Sequence, residues 1–262
     1  MISRPLLGYS RTGTESLVKA LRILGYQNVY HCFEILEHRP EDDVVWVRLW
    51  HERRAGRKPI STVEFDKVLA DVDAVTDMPC MLFASELIDA YPDAKVILNR
   101  RADVDAWATS WESTLGYNYD DWSQWWMHLW DAKLFWCYRI LYATVEDTRL
   151  DAQGKKRPIQ DAYREHYSVL EKKMEAEGRE FLRWGVQDGW RPLCKWLEKD
   201  IPQVDFPRGN TVEQFFVNCP VIMRHMLRRS FRNRVMGMAV LGLGSSLVLW
   251  LKRREIMKML RW

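Results

Sequence analysis

The stretch over residues 5–25 constrains the fold most, because a short apolar run, a glycine-rich loop and a helical pattern follow one another without interruption. Pro5-Leu6-Leu7 is a candidate strand that ends at Gly8, and residues 14–24 place apolar side chains at helical spacing before Gly25. A strand that enters a helix through such a loop presents backbone N–H groups and the helix N-terminus to an anion. The stretch therefore predicts an α/β fold with an anion site after its first strand.

Strands and helices alternate beyond this stretch, which is typical of a parallel sheet with right-handed crossovers. Further strand candidates lie at 28–31, 73–77, 94–98 and 180–186. Helical patterns lie at 63–71, 80–91, 103–114, 159–177 and directly after Asp188. The predicted fold class is α/β: a P-loop-like three-layer fold with a short parallel sheet flanked by helices, plus a C-terminal apolar helix.

Composition excludes several other classes of protein. Apolar residues make up 47% and charged residues 29% of the 262 residues, which is typical of a globular chain and not of a disordered one. Five scattered cysteines without a C-x-x-C pair argue against a disulfide framework or a structural zinc site, and favour a reducing compartment. The histidines have no metal-ligand spacing, so no metal is predicted.

The loop from Gly8 to Ser16 carries the residue types that bind a phosphate-like group. Thr12, Thr14 and Ser16 add hydroxyl donors to the backbone N–H groups, and Arg11 adds a guanidinium. The G-x4-G spacing matches a Walker loop, but Thr14 stands where an ATPase or kinase has its lysine. We therefore expect the loop to bind an anion without performing ordinary γ-phosphoryl transfer.

The segment Arg11-Thr-Gly-Thr-Glu-Ser16 resembles the 5′-phosphosulfate loop of the sulfotransferases that use 3′-phosphoadenylyl sulfate (PAPS). Thr76-Asp-Met-Pro79 resembles their Thr-His-x-Pro, with Asp77 in place of the catalytic histidine. Residues 96–110 resemble the strand–Arg–helix–Ser element that binds the nucleotide 3′-phosphate. Together with Val29-Tyr-His31 and 188–207, these motifs resemble a divergent P-loop sulfotransferase-like group, and the resemblance covers roughly residues 5–210.

The resemblance implies a transferase that moves a sulfonate group from PAPS to a hydroxyl of a small aromatic or lipophilic acceptor. It implies that the donor is bound by Arg11, Thr12, Gly13, Thr14, Glu15, Ser16, Arg101, Thr109 and Ser110. One extra residue after the strand leaves two choices open, namely Arg100 or Arg101 and Thr109 or Ser110. The Arg-Lys-Gly loop of the cytosolic enzymes has only a weak counterpart, Arg208-Gly209.

Two residues are candidates for the base that takes the proton of the acceptor hydroxyl. Asp77 follows a strand near the loop, but a carboxylate with an ordinary pKa of ~4 is a weak base, so burial would have to raise its pKa. His31 follows another strand and is the alternative. Arg11 and the N–H groups of the loop suit the stabilisation of the leaving phosphate.

Seven tryptophans between residues 107 and 136 need an interpretation, and they are Trp107, Trp111, Trp122, Trp125, Trp126, Trp130 and Trp136. Their spacing favours a place in the core, and an aromatic acceptor pocket is the alternative. Acidic residues among them argue against a nucleic-acid partner.

The C-terminus differs from the body, since residues 221–262 carry ten Lys or Arg and one Glu. Val235–Leu251 is an uncharged run of 17 residues with basic residues on both sides, so it predicts a membrane anchor that either spans the bilayer or lies along it. The predicted parts are a sulfotransferase-like P-loop domain at 1–215, a basic linker helix at 216–234, the anchor at 235–251 and a basic tail at 252–262. The catalytic domain is expected on the cytoplasmic side, and the oligomeric state stays open.

Two other classes of function remain possible from the residues alone. One is an enzyme on the same scaffold that eliminates or cyclises a small metabolite. The other is a non-catalytic, membrane-attached adaptor, although the intact loop Arg11-Thr-Gly-Thr14 argues against it. The sequence does not identify the acceptor, and it leaves open whether catalytic activity is retained.

Overall fold

The structure is a computed structural model that describes residues 4–5, 8–56, 59–209 and 211–259, without the side chains of 4–5, 123–124 and 242–259. Within these ranges the strands are short and pair in parallel. They are β1 (Arg4–Pro5), β2 (Val29–Tyr30), β3 (Ala74–Val75), β4 (Val96–Asn99) and β5 (Phe181–Trp184).

The strands form two sheets, one with the order β1-β3-β2 and one that pairs β4 with β5. Ala74 of β3 lies opposite Arg4 and Val29, and Val96 of β4 lies opposite Phe181. β1 also lies beside β4, so the two sheets adjoin. The α/β prediction with short parallel pairing is confirmed, and over the described residues the pairing is divided between two sheets.

Helices flank the sheets over most of the described chain. They are α1 (Thr14–Ile23), α2 (Cys32–His38), α3 (Asp43–Arg54), α4 (Thr62–Leu69), α5 (Ala84–Ala90), α6 (Val104–Trp111), α7 (Tyr117–Asp120), α8 (Trp122–His128), α9 (Ala132–Arg149), α10 (Ile159–Ala176), α11 (Trp190–Leu197), α12 (Val212–Ile222) and α13 (Arg224–Met259). The helical patterns at 14–24, 63–71 and 159–177 agree with α1, α4 and α10. Helices α2 and α3 were not predicted.

Apolar packing on the two sides of the sheets makes the layers. On one side α1 and α11 bury Leu17, Leu21, Leu193 and Leu197 against the strands. On the other side the helices α2–α6, α9 and α10 share a larger cluster that includes the fully buried Trp46. The carboxyl ends of the strands therefore open between two packed helical layers, where α/β proteins bind ligands.

The tryptophans divide into buried and exposed groups. Trp107 and Trp111 of α6 are fully buried, as predicted. Trp122, Trp125 and Trp126 of α8 are exposed at 74%, 48% and 51%, so the core prediction is wrong for these three. The reason is that α8 is a short helix at the surface, where helical spacing places side chains on its outer face.

The C-terminal segment folds as α12 and α13, with a break at Met223. Helix α13 runs through the predicted boundary at 234/235, and its first half packs on α8 and α9. In the part of the chain that the structure describes, no helix has the length and apolar character needed to cross a membrane. The separate C-terminal apolar helix is therefore not supported; the side chains of 242–251, within the predicted anchor, lie outside the described residues.

Candidate functional site

The loop between β1 and α1 is built around two residues with left-handed backbone, Arg11 at φ 70° and Gly13 at φ 90°. A Cβ at Gly13 would clash with Cγ2 of Val186 from the loop after β5, so this position requires glycine for space as well as for conformation. A non-glycine residue at positive φ stores strain, and such strain concentrates at functional sites. The loop is therefore held in a specific shape by its neighbours.

Asn99 holds the loop from the end of β4, and the sequence analysis missed it. Its Oδ1 lies 2.8 Å from the Thr12 hydroxyl, and its Nδ2 donates to the Thr12 carbonyl at 3.3 Å. A Cβ at Gly8 would clash with the Asn99 side chain, so the glycine permits this close approach. A polar residue that directly follows three apolar strand residues was the signal that could have revealed it.

A cleft of about 580 Å³ opens beside this loop. Every predicted donor-binding residue lines it, together with both residues of the weak loop counterpart: Arg11, Thr12, Gly13, Thr14, Glu15, Ser16, Arg100, Arg101, Thr109, Ser110, Arg208 and Gly209. Segments distant in sequence thus meet at one cleft. The arginines and hydroxyl groups fit an anion with more than one phosphate-like group.

Arg100 and Arg101 have different surroundings within this cleft. Arg100 Nη1 forms an ion pair with Oε1 of Glu171 at 3.3 Å. The backbone N–H of Arg101 donates to the Tyr163 hydroxyl at 2.7 Å, which fixes the main chain, and its guanidinium has no ion pair among the residues that the structure describes. Arg101 is therefore the better placed of the two to bind a ligand phosphate.

Ser110 and Thr109 also differ. The Ser110 hydroxyl is buried and accepts a hydrogen bond from Nε of Arg11 at 3.2 Å. The Thr109 hydroxyl is exposed and donates to the carbonyl of Asp105 in its own helix at 3.0 Å. Ser110 thus links α6 to the loop, whereas Thr109 lies at the rim of the cleft.

Glu15 lines the cleft although its charge opposes anion binding. Its Oε1 pairs with Nζ of Lys19 at 2.8 Å, one helical turn along α1. Ser16 accepts a hydrogen bond from the Gly209 backbone at 3.2 Å, which ties the segment before α12 to the loop. The side chain of Glu15 is therefore paired within α1, and only its backbone N–H group suits an anion.

A second cavity of about 360 Å³ adjoins the cleft. Its walls are mainly apolar and come from α2, α9, α12 and the start of α13, with Phe33, Leu36, Ile140, Leu141, Phe215, Phe216, Cys219 and Met223 among the lining residues. Arg11 and Thr14 line both cavities, whereas Asp77 lines only the apolar one. A group bound at Arg11 and Thr14 would therefore face both the cleft and the apolar cavity.

Arg11 is held at this junction from both sides. Nε donates to Ser110, and the guanidinium lies 5.2 Å from the centre of the Phe215 ring, at a distance that permits a cation–π interaction. Burial lowers the pKa of Arg11, while the charges of Asp77 and Glu15 act in the opposite direction. An arginine stays charged under these conditions, so the junction carries a fixed positive group.

Asp77 forms a buried pair with His31 behind the loop. Asp77 Oδ2 lies 2.9 Å from His31 Nε2 and 3.2 Å from the Thr14 hydroxyl. Asp77 Oδ1 accepts from the Ser10 hydroxyl and, at 2.7 Å, from the Met78 backbone N–H. Asp77 has φ 66°, a second non-glycine residue at positive φ in the site. The two candidate bases are therefore one unit in the structure.

The pKa of Asp77 follows from this network. Burial alone would raise it, but the charge of His31 and the hydrogen bonds from His31, Ser10 and the Met78 N–H hold the pKa of Asp77 below its usual value. The condition that burial raises this pKa is not met, because the hydrogen bonds stabilise the carboxylate. Asp77 is therefore ionised at neutral pH.

His31 has both ring nitrogens engaged. Nδ1 accepts from the Phe33 backbone N–H at 3.2 Å and so caps α2, which assigns the ring proton of the neutral form to Nε2, facing Asp77. Asp77 lines the apolar cavity, and the lining of neither cavity includes His31. His31 thus lies behind Asp77 and orients it.

The cysteines do not form a metal or disulfide site in the part of the chain described here. All five are free thiols, and Cys32, Cys137 and Cys219 line the apolar cavity. Burial raises the pKa of Cys32, Cys80 and Cys137, so these groups are neutral thiols. Over the described residues, no group of three or more His, Cys, Asp or Glu side chains could hold a metal ion.

Comparison with known proteins gives two matches to this segment. A family model described as a sulfotransferase domain matches residues 6–215. The chain is also similar to Ava biosynthesis cluster protein M of Aspergillus versicolor, with 31% identity over 211 residues that cover 77% of this chain and 78% of the relative. The loop, the His31–Asp77 pair and the arginines of the cleft all lie inside the matched segment.

Proposed function

Because the chain belongs to the sulfotransferase family, we propose that it transfers a sulfonate group from PAPS to a hydroxyl of a small aromatic or lipophilic acceptor. The observation that carries this proposal is the meeting of a polar cleft and an apolar cavity at Arg11 and Thr14, with Asp77 on the apolar side. A sulfonate bound at the junction would lie between donor and acceptor.

In this proposal the cleft binds the nucleotide part of PAPS. The loop N–H groups with Arg11, Thr14 and Ser16 bind the phosphosulfate, and Arg101 with Ser110 binds the 3′-phosphate. Arg101 is preferred over Arg100 because Arg100 is paired with Glu171. No metal is assigned a part in this chemistry.

The apolar cavity would hold the acceptor. Its volume of about 360 Å³ suits a small molecule, and its walls favour aromatic or aliphatic surface. The name of the relative places that protein in a biosynthesis cluster, which supports a small-molecule acceptor here as well.

Sulfonate transfer exchanges one oxygen–sulfur bond for another. The acceptor oxygen forms a bond to sulfur, the bond from sulfur to the bridging phosphate oxygen breaks, and adenosine 3′,5′-bisphosphate leaves. Negative charge grows on the bridging oxygen, where Arg11 and the loop N–H groups are placed to stabilise it. These donors are held before the reaction by Ser110, Phe215 and Asn99, so little reorganisation is needed.

We assign the proton of the acceptor hydroxyl to the carboxylate of Asp77, since Asp77 is the member of the pair that lines the acceptor cavity. Because its low pKa makes Asp77 a weak base, the proton is transferred as the bond to sulfur forms and the hydroxyl becomes acidic, not before. To accept this proton, one carboxylate oxygen of Asp77 must give up a hydrogen bond that it accepts in the structure and accept one from the acceptor hydroxyl instead. His31 is a positioning residue, because it contacts Asp77 and caps α2.

For the C-terminal helix we propose attachment along a membrane surface. Helix α13 exposes the apolar side chains of Phe231, Val235, Met236 and Met238. It packs against α8, which carries the exposed tryptophans. Arginines of α13 add positive charge beside these apolar groups, which favours anionic lipid. The free thiols support a body on the cytoplasmic side.

Calorimetric titration of the full-length protein with adenosine 3′,5′-bisphosphate and with ATP tests the donor class. We expect micromolar binding of the bisphosphate and much weaker binding of ATP. Arg101→Ala should weaken bisphosphate binding by roughly 10-fold to 100-fold, the loss of a charge-assisted pair of hydrogen bonds. The matched control is Arg100→Ala, which should change the affinity less than threefold.

Equal losses in the two arginine variants would remove the assignment of the 3′-phosphate to Arg101. No bisphosphate binding by the folded protein would contradict the PAPS proposal. It would favour an elimination or cyclisation enzyme, or an adaptor, on the same scaffold.

A further inference from the structure

The acceptor cavity contains a second buried carboxyl group, Asp43, which the proposed reaction does not use. Asp43 lies in the first turn of α3, is only 3% exposed and lines the apolar cavity. Its Oδ2 is completely buried and has no hydrogen-bonding partner among the residues that the structure describes. Buried polar groups are almost always hydrogen-bonded, so an exception on a residue that lines a cavity needs an explanation.

Asp43 does not have the usual structural roles of an aspartate at a helix start. Asp42, the preceding residue, makes the contacts that fix this end of α3: its Oδ2 accepts from the Tyr30 hydroxyl at 3.1 Å and pairs with Nε of Arg39 at 2.9 Å. Oδ2 of Asp43, by contrast, has no hydrogen-bonding partner within the described part of the chain. Its carboxyl group therefore costs stability unless a ligand satisfies it.

The surroundings of Asp43 determine its charge. Burial, and to a smaller extent the negative charge of Asp42, raise the pKa of Asp43 to about 8. The neighbouring titratable groups on the cavity wall are the thiols of Cys32 and Cys137, whose pKa values burial raises, with Asp43 adding to the effect. Asp43 is therefore mostly a neutral acid at pH 7, and a cationic ligand group would favour its ionised form.

We propose that Asp43 is the residue of the acceptor cavity that binds a second polar group of the acceptor, one that can donate a hydrogen bond, such as a hydroxyl or an amine. This inference rests on the proposed sulfonate transfer and narrows its substrate class. The acceptor is then a mainly apolar molecule with two polar groups: the hydroxyl that is sulfonated at Asp77 and a donor group that meets Asp43. An acceptor with a single hydroxyl would leave Asp43 unsatisfied and bind more weakly.

The test uses pairs of phenolic probes of matched shape and the full-length protein saturated with adenosine 3′,5′-bisphosphate. In the shorter series, the singly polar probe 2-naphthol is compared with 2,6-dihydroxynaphthalene and with 6-amino-2-naphthol. In the longer series, 4-phenylphenol is compared with its 4′-hydroxy and 4′-amino derivatives. We expect at least one doubly polar probe to bind about tenfold more tightly than its singly polar partner.

Two variants assign the preference to the carboxyl group. Asp43→Leu replaces it by an apolar group of similar size and should reduce the preference to less than about twofold, by weakening the doubly polar probe. Asp43→Asn keeps hydrogen bonding and should retain part of the hydroxyl preference while it loses any amine preference. If Asp43→Leu fails to fold, Asp43→Asn alone still tests the amine arm, and Asp161→Asn, at an exposed carboxyl group on α10, serves as the control outside the cavity.

The outcomes separate this inference from the proposed function. Loss of bisphosphate binding in the wild type would contradict the donor proposal itself. Normal bisphosphate binding, with singly polar probes equal to or tighter than the doubly polar ones, would overturn the role of Asp43. Failure of every doubly polar probe to bind, or a preference that persists in both Asp43 variants, would overturn it as well.

Discussion

The cleft proposed for the donor and the cavity proposed for the acceptor meet at Arg11, yet they are built from different kinds of sequence. Most of the cleft comes from one continuous loop and the end of one strand with the helix that follows it. The apolar cavity takes its wall from helices α2, α3, α9, α12 and α13, which are distant in the chain. A polar ligand of constant shape is bound by a few backbone and charged groups at fixed spacing, whereas an apolar ligand is bound by a shape that many packed side chains produce together.

Asp77 links the two regions, because it lines the acceptor cavity but accepts hydrogen bonds from Ser10 and Thr14 of the donor loop. Asp77→Asn should lower kcat by roughly 100-fold to 10,000-fold, the range for loss of a general base, with donor affinity changed less than threefold. Steady-state sulfonate transfer and bisphosphate calorimetry measure the two quantities. The control is Asp71→Asn, which removes an exposed carboxylate that precedes β3.

The pH profile decides between the two members of the pair. A base whose pKa is held below the ordinary carboxyl value is already deprotonated at pH 5, so kcat/KM should stay level from about pH 5 to 8 and fall only in acid. A fall between about pH 8 and 6 would contradict Asp77 as the base, because its carboxylate is already ionised throughout that range.

The next largest effect should come from Arg11, the charged group that lines both cavities. Arg11→Ala removes a preorganised donor from the leaving phosphate and should lower kcat by roughly 100-fold to 1,000-fold. Rates measured at saturating donor isolate this effect from binding. Arg22→Ala is the control, since Arg22 pairs with Glu34 at the surface end of α1. Equal effects of both substitutions would indicate a general charge effect and contradict the assigned role.

Asp43 allows a stability test that is independent of any ligand. Its pKa is about 8 in the folded protein and ~3.9 in an unfolded chain. Between these values the folded state holds a proton that the unfolded state has lost, so the wild type should lose about 1.4 kcal/mol of stability per pH unit as pH rises. Asp43→Asn lacks this slope, and its stability relative to the wild type should rise by about 2–3 kcal/mol from pH 5 to pH 7.

Urea unfolding at the two pH values measures this difference. A constant difference between the wild type and Asp43→Asn would show that the carboxyl group is solvated or paired in the folded state. Asp42→Asn should instead destabilise the protein, because it removes the contacts with Tyr30 and Arg39.

The smallest expected effect concerns the surface of α8 and α13, which belongs to neither cavity. Replacing Trp125 and Trp126 together by serine should reduce co-sedimentation with vesicles of phosphatidylcholine and phosphatidylserine by roughly threefold to tenfold. Catalysis with a water-soluble acceptor should be unchanged. The control is Val63→Ser, an apolar residue on α4 that is even more exposed, at 71%. Absence of vesicle binding by the wild type, in low salt, would exclude the proposed surface attachment.

The donor cleft was largely predictable because its signals are local. The phosphate loop, the Asp77 motif and the Arg101–Ser110 element each span a few residues, and their order along the chain predicted that they would meet at the carboxyl ends of parallel strands. Asn99 and the choice between Arg100 and Arg101 were not predictable. They depend on contacts with Thr12, Tyr163 and Glu171 that only the folded chain brings together.

The acceptor cavity was largely unpredictable for the same reason. Helices α2 and α3, which carry part of its wall, were not predicted, and the residues of α12 and α13 that close it have no motif. The tryptophans show how spacing can mislead: it placed Trp107 and Trp111 correctly in the core but could not distinguish the exposed face of the short helix α8.

The sequence by itself determined the α/β class, the position of the glycine-rich loop and the family, because these depend on the order and chemistry of adjacent residues. The tertiary structure decided which groups act together and in which charge state. His31 and Asp77, separated by more than forty residues, became one pair, and the lowered pKa of Asp77 is a product of that pairing. Asp43 became a neutral acid in the cavity because distant helices remove water from it, and desolvation depends on packing that no short segment of sequence contains.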